Sequence, residues 1–377
     1  MLRYMALLIG IASTASCSLI SDDRGLEEVW STRNEGDLIR TGTIGTDAQH
    51  FYVVRQRDES FRQVDRLFAF DLNDGKPVWD VPLSNGCEPA PASSGRIFCP
   101  SDDLEAFDAE TGRALWSVTP DTTFQLVEGA ADAERVYAGA FLDNQFSTIY
   151  AYDAETGALA WRRRVSGEGW TGSRLRSLVV EGSTLFASAD ALYSRNGFLS
   201  APTILAYDAA TGRELWRFQD GDGTQNLNVS ALTVTDNTIL YGETAFNDQT
   251  VALDRATREV RWRVDHVTGF AGMLAAPAVA DGVVYTAQGD EQLYAIDIAT
   301  GEVLWAVSPD RGSYFNHAVC GDYFIGNNTA LTVVERATGE KVEILFGGAG
   351  ENVRQMAERD GRLYVATEKA AYAFDCL

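Results

Sequence analysis

A chain of 377 residues that is 45% hydrophobic and 11% aromatic can bury a large core, either as two domains or as one extended all-β unit. Its formal net charge of −23 argues against a nucleic-acid partner, which would call for clustered Lys and Arg, and against electrostatic adhesion to anionic lipid. Three histidines, His50, His266 and His317, leave little material for a metal centre or a proton relay.

In chain order, residues 1–16 read as a signal peptide. Met1-Leu2-Arg3 supplies a positive start, YMALLIGIA an apolar run too short to span a bilayer comfortably, and STAS a small-residue exit. Cys17 follows directly and resembles the lipidated cysteine of a bacterial lipobox, although Thr14 stands where that motif usually has Leu. An ordinary signal peptide with a chance cysteine is the alternative. On the lipobox reading, residues 17–25 are a lipidated tether. Ser18 lacks the Asp associated with inner-membrane retention, so the expected address is the periplasmic face of the outer membrane, with membrane contact only through the lipid.

From residue 26 onward one short unit recurs. AFDAETGRALW, at 106–116, returns as AYDAETGALAW, AYDAATGRELW and AIDIATGEVLW. Aligned on the acid, the units fall at Asp71, Asp108, Asp153, Asp208, Asp254, Asp297, Glu335 and Asp375, at intervals of 37 to 55 residues. Such a period marks stacked supersecondary units. Eight positions after each of the first six acids comes Trp79, Trp116, Trp161, Trp216, Trp262 or Trp305; the seventh unit has Glu343 there. Alternating segments flank each acid and read as strands, with Asp-x-x-Thr-Gly as the hairpin between them. In that turn the acid accepts backbone N–H groups and Gly takes a positive φ, a pattern that Arg258 breaks in the fifth unit.

Four short strands every 40-odd residues describe a propeller blade. The folded part opens with LEEVWST, a Trp-bearing strand with no acid before it, and closes with AAYAFDCL, an acid-bearing strand with no Trp after it. Joined, they make one complete unit. The expectation is therefore an all-β, eight-bladed propeller of four-stranded antiparallel blades over 26–377, its ring closed by the N-terminal strand completing the last blade. Trp30, Trp79, Trp116, Trp161, Trp216, Trp262 and Trp305 would then pack between neighbouring blades.

Four cysteines remain, and an exported chain with an even count permits two disulfides in three connectivities. Cys87 and Cys99 flank EPAPASSGRIF, a short hairpin that would set them nearly opposite each other; Cys320 with Cys376 follows by elimination. The longest interval, Asp153 to Asp208, carries extra loop material. There Trp170, Arg174, Leu175 and Arg176 form a basic-aromatic group, expected on a rim and a candidate for partner binding. DGDGTQNLN, at 220–228, starts like a calcium loop but has Ala231 where the closing Glu belongs, and reads better as a turn. FGGAGEN, at 346–352, lacks a P-loop Lys. No Ser/His/Asp set stands out, so the expectation is no catalytic residue, no metal and no cofactor.

The unit Ala-(Tyr/Phe)-Asp-x-x-Thr-Gly-x-x-x-Trp resembles the PQQ-like propeller repeat, found in quinoprotein alcohol dehydrogenases and in a group of non-enzymatic lipoproteins. The resemblance spans about residues 26–377 and implies tryptophan-docked blades. A lipobox-like start followed by one propeller is similar to the BamB-type outer-membrane assembly lipoproteins. That likeness implies a non-catalytic scaffold, a monomer within a complex, whose partner is an envelope protein of the barrel-assembly machinery. In that family a rim loop carrying Leu and Arg touches the barrel component, and the Arg174–Arg176 loop falls in a comparable blade. The quinoprotein branch implies a vicinal Cys pair and a calcium set of Glu, Asn and Asp, neither of which can be mapped here. A PQQ-dependent oxidoreductase and an envelope glycan- or protein-binding propeller stay open as alternatives.

Overall fold

In the computed structural model the described residues are 25–376, apart from the segments 34–37, 40–44, 60–61, 85–86, 88–89, 101, 120–124, 142–145, 195–198, 245–247, 267–274, 288–291, 309–315, 328–329 and 347–351. They form eight antiparallel sheets arranged as an eight-bladed propeller, without a helix among them. Blade 3 shows the plan: Gln125–Ala131, Arg135–Phe141, Thr148–Asp153 and Leu159–Arg164 follow one another from the centre outward. In blades 1 and 5 the innermost strand is broken into two short pieces, Leu38–Ile39 with Gly45–Thr46, and Asn228–Val229 with Thr233–Val234.

The repeat supplies the joints between blades. In the third strand Ala stands opposite the Trp of the fourth, as in Ala151↔Trp161 and Ala206↔Trp216, and the small residue leaves room for the ring. A bulge beside that pair pushes the residue before Trp outward. The indoles of Trp30, Trp79, Trp116, Trp161, Trp262 and Trp305 then reach the next blade's turn. Trp161 Nε1 donates to Ala209 O at 3.0 Å, Trp79 to Ala109 O at 3.1 Å and Trp262 to Ile298 O at 2.9 Å. The ring lies over the turn glycine: a Cβ on Gly212 would fall 2.5 Å from Trp161, and its φ of +65° already disfavours any side chain. The turn acids hold the hairpins. Asp208 Oδ1 accepts from Thr211 N and Oγ1, and Gly212 N donates to Asp208 O. The Thr hydroxyl and then the Thr amide keep the Asp108, Asp153, Asp208 and Asp297 carboxyls below their usual pKa range.

The ring closes through the chain's N-terminal strand. Leu26–Arg33 pairs antiparallel with Ala370–Cys376 as the outermost strand of blade 8. Trp30 then reaches round to blade 1, donating to Leu72 O at 3.0 Å. At the seam between blades 7 and 8 there is no continuous hairpin to receive an indole. Glu343, in the ladder position of a Trp, accepts from Leu26 N at 2.8 Å, and the Tyr323 hydroxyl accepts from Gly25 N at 2.9 Å. A Cys320–Cys376 disulfide crosses the same seam, and Cys87 is bonded to Cys99 in blade 2.

Candidate interaction surfaces

Blade 4 is the longest blade, with strands Gly172–Glu181, Thr184–Leu192 and Ser200–Asp208 ahead of the outer Glu214–Gln219. Its surplus length builds a braced annex instead of a free loop. Trp170 is only 8% exposed and sits in one apolar cluster with Val165, Leu175 and Leu178. Its indole donates to Gln219 Oε1 at 3.3 Å, the acceptor shared by the Tyr193 hydroxyl at 2.8 Å. The Arg217 guanidinium lies 5.4 Å from the Trp170 ring centre and is doubly bonded to Glu214. The stretch from Asp220 to Leu227 folds back on Ser200, whose amide donates to Gln225 O at 2.9 Å.

This placement corrects the grouping expected from sequence. Trp170 and Leu175 are buried, Leu175 at 5% exposure, because Gly167, Arg217 and Gln219 close over the indole and because alternation on the inner strand turns Leu175 into the core. They offer no surface to a partner. Arg174 and Arg176 point the other way and are half-buried. Arg176 is engaged by the fully buried Asp190, at 2.6 and 2.8 Å, while Asp190 Oδ1 accepts from Val229 N of blade 5. Burial pushes the Asp190 pKa up and Arg176 opposes it.

Sequence reasoning missed a second tie between blades 4 and 5. Arg263 Nη2 donates to Asp220 Oδ1 at 2.7 Å, and its Nη1 lies 3.4 Å from Glu243 Oε2. The Tyr241 hydroxyl donates to Asp220 Oδ2 at 2.6 Å. Burial, then the Asp220 charge, push Glu243 up to about 7 against the pull of Arg263. Asp222 is spent locally, accepting from Thr224 N and Oγ1. The DGDG stretch is therefore a turn at the edge of the annex whose acids are already engaged.

The outer rim is the other distinctive surface. Among the described residues every exposed large hydrophobic except Leu199 lies on an outermost strand: Val29, Val78, Leu159, Leu215, Val303, Leu304 and Ile344. Val29, Val78, Leu215 and Leu304 each precede the joint Trp, so the bulge that seats the indole also turns an apolar side chain to solvent. These strands leave one edge unpaired within their sheets.

No group of three or more His, Cys, Asp or Glu is placed to hold a metal ion among the described residues. The four described cysteines are paired in the two disulfides, and no two of them are adjacent in sequence. Cys17 lies outside the described residues, as do residues 347–351 of the glycine-rich FGGAGEN stretch.

Comparison with known proteins adds the following. A family model described as outer membrane protein assembly factor BamB matches residues 20–127, 100–247 and 203–373. The outer membrane protein assembly factor BamB of Yersinia pestis is 26% identical over 226 residues, covering 54% of this chain and 51% of that protein. The quinohemoprotein alcohol dehydrogenase ADH-IIG of Pseudomonas putida is 23% identical over 412 residues, covering 98% of this chain and 54% of that protein. The chain thus spans about half the length of these two curated relatives. Among solved structures, BamB from Moraxella catarrhalis superposes with a TM-score of 0.71 at 16% identity, over 93% of this chain and 98% of that one.

Proposed function

The chain belongs to the family described as outer membrane protein assembly factor BamB, and from that premise we propose that it is a non-catalytic docking platform in the assembly of outer-membrane β-barrel proteins. A lipid on Cys17 would hold it at the periplasmic face of the outer membrane, where it would act as a monomer within the barrel-assembly complex. The observation that carries this reading is the rim: a rigid disc whose exposed apolar side chains collect on open outer strands is suited to contact with extended β-forming chains and with a partner domain.

Arg174 is the residue of the sequence-predicted group left to test at the blade 4 face, since Arg176 is committed to Asp190. Crosslinking in the native envelope followed by capture of the full chain tests the proposal. Recovery of the barrel subunit of the assembly complex, reduced several-fold by Arg174→Glu, supports it; capture without that subunit overturns it.

A second reading rests on the similarity to ADH-IIG along nearly the whole chain. A quinone-dependent oxidoreductase would gain dye-linked turnover on alcohols once supplied with PQQ and calcium. No turnover and no spectral change would end that reading.

A further inference from the structure

We propose that the groove between blades 6 and 7 is a docking site for an extended polypeptide segment in which a cationic side chain neighbours an apolar one. The groove encloses about 700 Å³, lined on the blade 6 side by Leu304, Trp305 and Tyr285 and on the blade 7 side by Asp322, Glu335 and Arg336.

Three observations single it out. The first is its outer strand. Val303–Val307 carries no charged residue, and nor does Ala114–Val118 of blade 2; each of the other six outermost strands carries at least one. Charges on an edge are the usual protection against unwanted pairing. In blade 2 Leu115, Trp116 and Val118 are half-buried, whereas Val303 and Leu304 are 41% and 50% exposed.

The second is the charge of the groove. Its one cation is already consumed. Arg336 Nη2 donates to Asp281 at 2.6 Å, Nη1 to Gly321 O at 2.8 Å and Nε to the Tyr285 hydroxyl at 3.3 Å. The lining sets three acids, Asp281, Asp322 and Glu335, against that single Arg, so the wall carries an excess of acid beside an apolar floor, and Glu335 also accepts from the Thr338 hydroxyl.

The third is contrast. The corresponding groove between blades 1 and 2 encloses about 420 Å³ and mixes Asp47, Asp108 and Glu110 with Arg96 and Arg113. Its three acids are nearly balanced by two arginines, and Leu115 is the one large apolar residue of its lining.

A second copy of this chain is a poor occupant, because at a net charge of −23 two copies repel. A cationic segment meets the acids without that cost and lays its apolar neighbour against Leu304 and Trp305. The site does not depend on the scaffold reading.

The test uses the full chain with the peptide acetyl-Val-Lys-Leu-Arg-Val-Lys-amide, read by amide hydrogen exchange and tryptophan emission. Slowed exchange confined to residues 303–307 and the facing turn of blade 7 is the expected result. A counterpart with Glu at the Lys and Arg positions should bind about tenfold more weakly. Leu304→Lys should weaken the cationic peptide about tenfold at unchanged Tm, since Leu304 is exposed. Asp322→Lys provides a second variant with the same expectation.

Equal binding of the acidic peptide, or protection spread over all outer strands, overturns the proposal. Protection that grows with protein concentration in the absence of peptide assigns the edge to self-association and overturns it too. A chain that takes the peptide here but captures no barrel complex loses the proposed function and keeps the groove; the reverse result loses the groove alone.

Discussion

At the joint between blades 3 and 4, Trp161 lies over Gly212 and donates to Ala209 O, so one side chain packs against and bonds to an intact hairpin. At the joint between blades 7 and 8, Glu343 holds the same ladder position and accepts from Leu26 N, where the hairpin is replaced by two separate strands of the chain. The two joints face different needs. A continuous Asp-x-x-Thr-Gly turn offers a bare glycine face and a spare carbonyl, which suit a flat donor. A cut turn offers backbone N–H groups without an acceptor, which suit a carboxylate. The residue at this position is thus selected by the turn of the next blade and not by its own strand. The seam gains a further tie that the regular joint lacks, the Cys320–Cys376 disulfide.

The most damaging way to break the regular joint is Trp161→Ala. The indole is 7% exposed, and its loss should cost about 3–5 kcal/mol in urea unfolding. Trp161→Phe should keep most of the packing and give up about 1 kcal/mol with the bond to Ala209. An alanine variant as stable as the phenylalanine one would show that the ring fills space without holding the blades. Next in size is the seam. Cys320→Ser opens a link across 56 residues of sequence, worth about 2–4 kcal/mol. Hydrogen exchange should then rise in Leu26–Arg33 and Ala370–Cys376 together and leave the outer strand of blade 3 unchanged. A uniform rise would mean that the ring unfolds as one unit and the seam is no weaker than any other joint.

The ring was legible because its grammar is local. The acid, the glycine and the tryptophan sit within eleven residues, and the incomplete units at the two ends of the propeller complete each other at Trp30 and Asp375. Even Glu343 could have been read, since a carboxylate replaces the indole only where the neighbouring turn is missing. Trp170 could not. What buries it are Gln219 and Arg217, almost fifty residues away, and no periodicity in SGEGWTGSRLRS announces that contact. The tie of Arg263 to Asp220 and Glu243 was hidden for the same reason: each partner alone looks like an ordinary surface charge, and the topology of two blades brings them together. The groove beside Leu304 depends on what the strand lacks, and an absence of charge becomes visible only when all eight outer strands are lined up.

A smaller effect probes the joint between blades 4 and 5. Glu243 titrates at about 7 in the folded protein against 4.5 for a free side chain. A carboxyl with a raised pKa contributes stability that is complete below 4.5 and is lost as pH rises through 7. Glu243→Gln should therefore flatten the stability profile between pH 4.5 and 7 and leave the variant more stable at pH 8, by about 3 kcal/mol, in thermal unfolding followed across pH. Destabilisation at pH 8 would mean that the ion pair with Arg263 outweighs desolvation. Glu343→Ala at the seam should cost about 1 kcal/mol through the orphaned Leu26 amide, and E343W should not restore it, because an indole has no acceptor to offer.

The finest test restores the repeat where the chain departs from it. Arg258 occupies the turn position that is glycine in the other intact hairpins, with a φ of +65° and its amide donating to Asp254 O at 2.8 Å. A side chain in that region carries a penalty near 1 kcal/mol, but glycine gives back part of the gain by loosening the unfolded chain. Arg258→Gly should then stabilise by about 0.5 kcal/mol. It would also leave the turn free to receive Trp216 as Gly212 receives Trp161. A loss instead of a gain would show that this joint relies on the Arg258 side chain, and that its bond network through Asp190, Asp220 and Arg263 compensates for an irregular turn instead of adding to a regular one.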